Sequence, residues 1–238
     1  MFLTFIENYP FLVAFILGLI PALIWLFFWL KEDIHPEPAK MLTLAFLGGM
    51  LSVLFVLPIQ KVVYDHLREF TFLSFALWAA IEEVSKFLFV YYIALKRKYV
   101  DEPVDDIIYL IVSALGFVTF ENTLFLTEFL RDGDLMGTII NGNMRFIGAS
   151  LIHVMSSAVI GIMMGLSYYK TKKNKILYTI SGILIAIVLH TSFNLFIISR
   201  APGNIFFVFG AVWFGIVVLL LLFEKVKHLS GEEIKINL

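Results

Sequence analysis

No cysteine occurs among the 238 residues. Disulfides, a thiolate nucleophile and thiolate metal ligation are therefore excluded, and any metal must be held by His, Asp, Glu or Asn side chains. Charge is nearly as scarce: 16% of residues are Asp, Glu, Lys or Arg and the formal net charge is −1, against about a quarter charged in soluble domains. That balance excludes the basic footprint of a nucleic-acid binder and a polybasic lipid tether. Internal repeats, low-complexity tracts, heptads and connectors long enough for a soluble domain are also missing. What fills the chain is apolar, with 60% hydrophobic residues and a mean hydropathy of +0.91. The residues before Pro10 hold Glu7 and no Lys or Arg, unlike the basic start of a cleavable signal peptide, so the first apolar segment is expected to remain as a span.

Apolar runs of about 20 residues, the length a helix needs to cross hydrocarbon about 30 Å thick, fall near 11–30, 41–60, 71–95, 106–128, 146–167, 176–198 and 204–223. The fold class expected is all-α: a multi-pass integral membrane protein of about seven transmembrane helices, forming one domain over 1–238 with a catalytic core at about 71–198. Connectors are short and rich in turn formers or charge, among them 31–40, 96–105, 131–143 with three glycines, and 168–175. Of the 18 Lys and Arg, twelve fall in the connectors after spans one, three, five and seven, five on the opposite side, and Lys86 inside a span. Retention of basic loops in the cytoplasm predicts an N-terminus outside and a C-terminus inside.

Glu82, Glu83 and Lys86 sit in the middle of the third run. Each charge there costs roughly 2.5–3.5 kcal/mol even on lenient insertion scales, and anchoring requires none of them. With a rise of about 1.5 Å per residue, the two glutamates lie on the order of 17 Å deep. Glu121 in the fourth span, His153 in the fifth, and His190 and Asn194 in the sixth fall in the same outer half of the membrane. Faces agree with depths. Ala149, His153, Ser157, Gly161 and Gly165 recur every four residues, as do Gly182, Ala186, His190 and Asn194, and small residues at that spacing let helices approach closely. Both imidazoles are thus expected against neighbouring helices rather than lipid.

A helical ion pair, Glu83 or Glu82 with Lys86, would account for one glutamate but not for two. The chemical reading makes Glu83 a general base for water, with Glu82 and Lys86 orienting it. His153, His190 and Glu121 could form a two-histidine, one-carboxylate site for zinc or another divalent metal. Without metal, a glutamate would activate water while a histidine or Asn194 steadies the oxyanion. Asn122 beside Glu121 is a supporting candidate; alternatively the Glu121-Asn122 pair simply bridges helices. His35, His66 and His228 lie in connectors or tail and are expected to be solvated, like the tail charges Glu232 and Glu233. A proton- or cation-coupled transporter would also use intramembrane Glu, His and Lys, but no inverted repeat accompanies them. A non-catalytic scaffold is the third possibility.

Glu82-Glu83-x-x-Lys86, Phe120-Glu121-Asn122, the membrane histidine His153 and His190-x-x-x-Asn194, in this order on successive helices, resemble the PrsW family of bacterial intramembrane proteases. The resemblance covers about residues 75–200. It implies a multi-pass protein of the bacterial cell membrane that makes the first cut in a single-span anti-sigma factor, near its extracytoplasmic side, after envelope stress. It also implies that Glu82, Glu83, Glu121, His153 and His190 carry the reaction, with the lipid bilayer as the other partner. The CAAX prenyl endopeptidase and Abi group shares the paired glutamates and the His-x-x-x-Asn. It usually has Arg one position beyond Lys86 and Phe-x-x-x-His where this chain has Phe117-x-x-x-Glu121, a departure that argues against prenyl-protein processing.

Overall fold

A single helix, Asp105–Arg131, runs through the middle of the bundle, and every residue of it from Asp105 to Thr119 is buried. The computed structural model describes residues 6, 8–33, 35–67, 71–198 and 204–229; Glu7, Glu232 and Glu233 lie outside them. In chain order the helices are α1 (Pro10–Leu30), α2 (Ala39–Leu67), α3 (Phe72–Val90), α4 (Asp105–Arg131), α5 (Leu135–Met144), α6 (Ser150–Leu166), α7 (Lys172–Ile198) and α8 (Asn204–Lys227). A π-helical turn, Tyr91–Leu95, extends α3, and another, Arg145–Ala149, joins α5 to α6. No strand occurs among the described residues.

Among the described residues, six stretches are long and apolar enough to cross a membrane: α1, α2, α4, the continuous α5–α6 unit, α7 and the end of α8. The remaining long helix, α3, has 19 residues, about 28 Å, and differs from these in carrying Glu82, Glu83 and Lys86. The protein is an all-α polytopic membrane protein. Large apolar side chains such as Phe27, Phe55, Val188 and Phe214 are exposed around the bundle, as they are where lipid is the solvent. Local signals fix the ends. Pro10 occupies the first turn of α1, where a missing N–H costs nothing. Thr71 and Ser74 satisfy each other's backbone amides in a capping box that starts α3.

Helices α1, α2, α3 and α6 pack around α4, and α7 packs against α6 and α3. Close approach is made by small residues. A Cβ on Gly49 of α2 would lie 1.9 Å from the Ser113 carbonyl oxygen, and one on Gly116 of α4 would lie 1.9 Å from that of Phe46. A Cβ on Gly161 of α6 would be 2.5 Å from Ile107 Cα. The stripe that carries His153 therefore packs on α4 as its spacing predicted.

The segment 131–143 differs from its expectation as a connector. Gly133, with φ +73°, ends α4 in the left-handed turn that favours glycine. The Asp134 carboxylate then accepts the Gly137 N–H at 2.7 Å and caps α5. Three glycines masked a helix whose start is set by that cap.

Candidate active site

Glu82, Glu83 and Lys86 lie on the side of α3 that packs into the bundle together with Ser74, Phe75, Ala79 and Val90. Lys86 is 1% exposed and Glu83 fully buried. Glu83 Oε1 accepts from Lys86 Nζ and from His190 Nδ1, both at 2.7 Å. Lys86 is thus paired with Glu83 rather than with Glu82. Glu82 faces the other way, into a cavity of about 540 Å³ lined with Glu121, Arg145, His153, His190 and Asn194.

Hydrogen bonding sets both imidazole tautomers. A charged Lys86 can only donate, so His153 Nδ1, at 3.2 Å, accepts. The His153 proton then sits on Nε2, aimed at Glu121 Oε2 at 3.3 Å. His190 gives its Nδ1 proton to Glu83, the carboxylate–histidine arrangement that orients metal ligands, and keeps its Nε2 lone pair free. Glu82 Oε2 lies 3.6 Å from His190 Nε2 and 4.0 Å from His153 Nδ1. The free Nε2 of His190 therefore faces the Glu82 oxygen, while the His153 Nδ1 lone pair near it is taken by Lys86, and the two rings meet edge to face with centroids 4.8 Å apart.

Two residues outside the sequence-based candidates complete the walls. Gln60 of α2 donates to Glu82 Oε1 at 2.6 Å and fixes that carboxylate. Arg145, which the sequence places among connector charges, donates to Glu121 Oε2 at 2.5 Å and to Asn122 Oδ1, and its guanidinium lies over the Phe125 ring. Its position depends on the π turn. In a regular helix the eight residues from Arg145 to His153 advance about 800°, some 80° off the shared face. Absorbing one residue in the π segment leaves about two whole turns, which returns Arg145 to the cavity side. His35, His66 and His228 lie away from this cavity, bonded to Glu102, Val62 and Glu224.

The donor set fits a divalent cation. Glu82, His153 and His190 each offer one ligand atom, all within 4.8 Å of one another and all buried. Glu82 Oε2 has no hydrogen-bond partner although it is shielded from solvent. Three carboxylates (Glu82, Glu83, Glu121) face two side-chain cations (Lys86, Arg145), and the uncompensated charge falls on Glu82. Glu121, the carboxylate expected to complete the metal set, is held by Arg145 and His153 instead.

A multi-pass helical protein with a buried Glu/His centre opening on an intramembrane cavity belongs to the class of membrane-embedded hydrolases or ion-handling proteins. Residues 37–223 match the PrsW family of intramembrane metalloproteases, and the chain belongs to that family. Curated relatives agree over most of their length. The chain is 30% identical to Protease PrsW of Geobacillus kaustophilus over 73% of its residues and 74% of the relative's. It is 31% identical to Protease PrsW of Clostridioides difficile over 76% and 77%, and 26% identical to that of Bacillus subtilis over 84% and 90%. No solved structure gives a significant match. The protein is an intramembrane protease of the bacterial cell membrane.

Proposed function

We propose that the protein cuts a single-span membrane protein inside the bilayer, an anti-sigma factor being the substrate class the family resemblance implies. Water activated by Glu82 is the nucleophile; Glu83, the base expected from the sequence, is engaged by Lys86 and His190 and does not line the cavity. The observation that carries this reading is Glu82 itself, with Oε1 fixed by Gln60 and Oε2 left without a hydrogen bond between His190 Nε2 and His153 Nδ1. Water bonds to the scissile carbonyl carbon, its proton passes to Glu82, and the proton is returned to the departing amine as the C–N bond breaks. Asn194 on the cavity wall is positioned to donate to the developing oxyanion. Glu83 and Lys86 act behind the wall, holding His190 and His153 in their tautomers. Glu121 and Arg145 form the opposite wall. Glu82, His153 and His190 would hold a divalent cation, zinc fitting this nitrogen and oxygen donor set, with His153 Nδ1 giving up Lys86 to do so and the second Glu82 oxygen left to take the proton; the cation would supply Lewis acidity toward water.

The charge bias of the connectors puts the cavity nearer the extracytoplasmic side, in one domain whose catalytic core is about 71–198. The test is cleavage of a co-reconstituted single-span anti-sigma factor. Glu82→Gln is expected to lower turnover by at least about 100-fold, the scale of general-base catalysis, while the protein still inserts and, with both proteins stripped by chelator, keeps its unfolding midpoint. Full activity of that variant would remove Glu82 from the mechanism.

A further inference from the structure

At the opposite end of α4 from the catalytic cavity, fifteen residues and about 22 Å from Glu121, lies a second recess of about 270 Å³. Asp106 forms its floor. This carboxylate is 5% exposed, and among the described residues no hydrogen bond or ion pair within 4 Å reaches it. The first turn of α4 and the charge of Lys175, which stands beyond ion-pair distance, favour the anion, but a buried carboxylate without a hydrogen bond is costly, and proteolysis as derived above makes no use of it.

The rest of the lining gives the chemistry of a partner. Ser167 and Thr179 also face the recess, and each hydroxyl proton is already given to a backbone carbonyl, of Met164 at 2.9 Å and of Lys175 at 2.9 Å. Their oxygens therefore offer only lone pairs inward. With Asp106, three side chains supply acceptors, which suits the three N–H donors of a primary ammonium. Lys175 stands on the α7 side of the recess, its ammonium 5.0 Å over the Tyr168 ring. Lys170 precedes it in the α6–α7 connector and Lys172 and Lys173 in the first turn of α7, and Lys96, Arg97 and Lys98 follow the π turn of α3 that supplies Leu95 to the lining. The recess thus has an anionic floor of acceptors and one lining cation, Lys175, with further basic residues close by in the sequence. Leu95, Val100 and Met164 add apolar walls where the helices leave the membrane.

We propose that this recess binds a phosphodiester bearing a primary ammonium, the ammonium on Asp106 and the phosphate on Lys175. That chemistry occurs in the ethanolamine headgroup of a membrane lipid and in its soluble glycerophospho form. A trimethylammonium headgroup has the same charges but no N–H donor for the floor. A glycerol headgroup has the phosphate but no cation.

The experiment is lipid retention by the full-length protein, read by native mass spectrometry and by unfolding midpoint, with phosphatidylethanolamine, phosphatidylcholine and phosphatidylglycerol offered at equal concentration. Phosphatidylethanolamine is expected to be retained about tenfold over either, the scale of a charge-assisted hydrogen bond, and to raise the midpoint. Soluble glycerophosphoethanolamine in excess supports the headgroup as sufficient if it displaces the lipid, and the intact lipid as ligand if it does not. Asp106→Asn should abolish the preference while leaving proteolysis in a fixed detergent unchanged. Should that variant fail to fold, Lys175→Glu, on an exposed side chain, should weaken retention of phosphatidylethanolamine on its own. Equal retention of phosphatidylethanolamine and phosphatidylcholine by the native protein overturns the proposal, as does phosphatidylglycerol binding as well as the ethanolamine lipid.

Discussion

Lys86 illustrates how one side chain can be indispensable to folding and still be removable. Its ammonium compensates Glu83 in a fully buried pair and donates to His153. Lys86→Met leaves Glu83 as a buried charge without its cation and is expected to destabilise the protein by about 3–5 kcal/mol. Adding Glu83→Gln removes the stranded charge and should recover most of that stability, because a neutral pair of similar volume is often tolerated. The double variant should nonetheless cleave poorly, since both imidazoles lose the groups that set their tautomers. Unfolding curves and substrate cleavage on wild type, Lys86→Met, Glu83→Gln and the double variant separate the two effects. Arg145 is the second residue to test. Arg145→Ala removes the guanidinium from Glu121 and Asn122, and about 10- to 100-fold of cleavage is expected to go with it, the scale of one or two charged hydrogen bonds. Arg145→Lys keeps the charge but loses the fork that reaches both partners, and is expected to fall closer to alanine than to wild type. Glu82, Glu83, Glu121, His153 and His190 were legible in the sequence because each is expensive in an apolar run. Arg145 and Gln60 were not, because both lie at the polar ends of their runs, where charge and amide carry no penalty and so no signal.

At the scale of elements, the site is held by contacts between helix backbones. Gln60 meets Glu82 where α2 packs on α3, and the course of α2 beside α4 is fixed by the reciprocal pair Gly49 and Gly116. A methyl at either position would meet a carbonyl oxygen of the facing helix at 1.9 Å, where neither backbone has room to yield. Gly49→Ala is expected to cost about 3 kcal/mol or more, the upper range for overpacking, and to lower activity through Gln60 even where the protein remains folded. Gly210, with open space around a built Cβ, is the control: Gly210→Ala should leave both unchanged. The six apolar spans and the inward stripes of α6 and α7 could be read from spacing alone, since lipid exposure and close packing write opposite compositions onto the two faces of a helix. Helix α5 could not. Its glycines look like a loop, and the Asp134 cap that starts it is a local hydrogen bond with no periodic trace. The π turn at Arg145 is hidden for a similar reason, because a single absorbed residue shifts a face without changing its composition.

For the molecule as a whole, the distribution of charge ties stability to the site. A bundle whose exterior is almost wholly apolar keeps three carboxylates and two cations around one cavity, with Glu82 left uncompensated between His153 and His190. A cation bound there contacts α3, α6 and α7 at once, helices brought together only in the folded state, so binding must stabilise the fold by linkage. At a free concentration a hundred times Kd the gain is about 2.7 kcal/mol, which in a chain of this size raises the unfolding midpoint by ~5 to 10 °C. Purified protein stripped with chelator should therefore unfold earlier and lose cleavage together, and added zinc should restore both. His153→Ala with His190→Ala should unfold at a midpoint indifferent to chelator and zinc. Because this readout does not pass through catalysis, it separates metal binding from proteolysis. Stripped protein that keeps its midpoint and its full cleavage rate would mean that Glu82 and the imidazoles work on water without a metal.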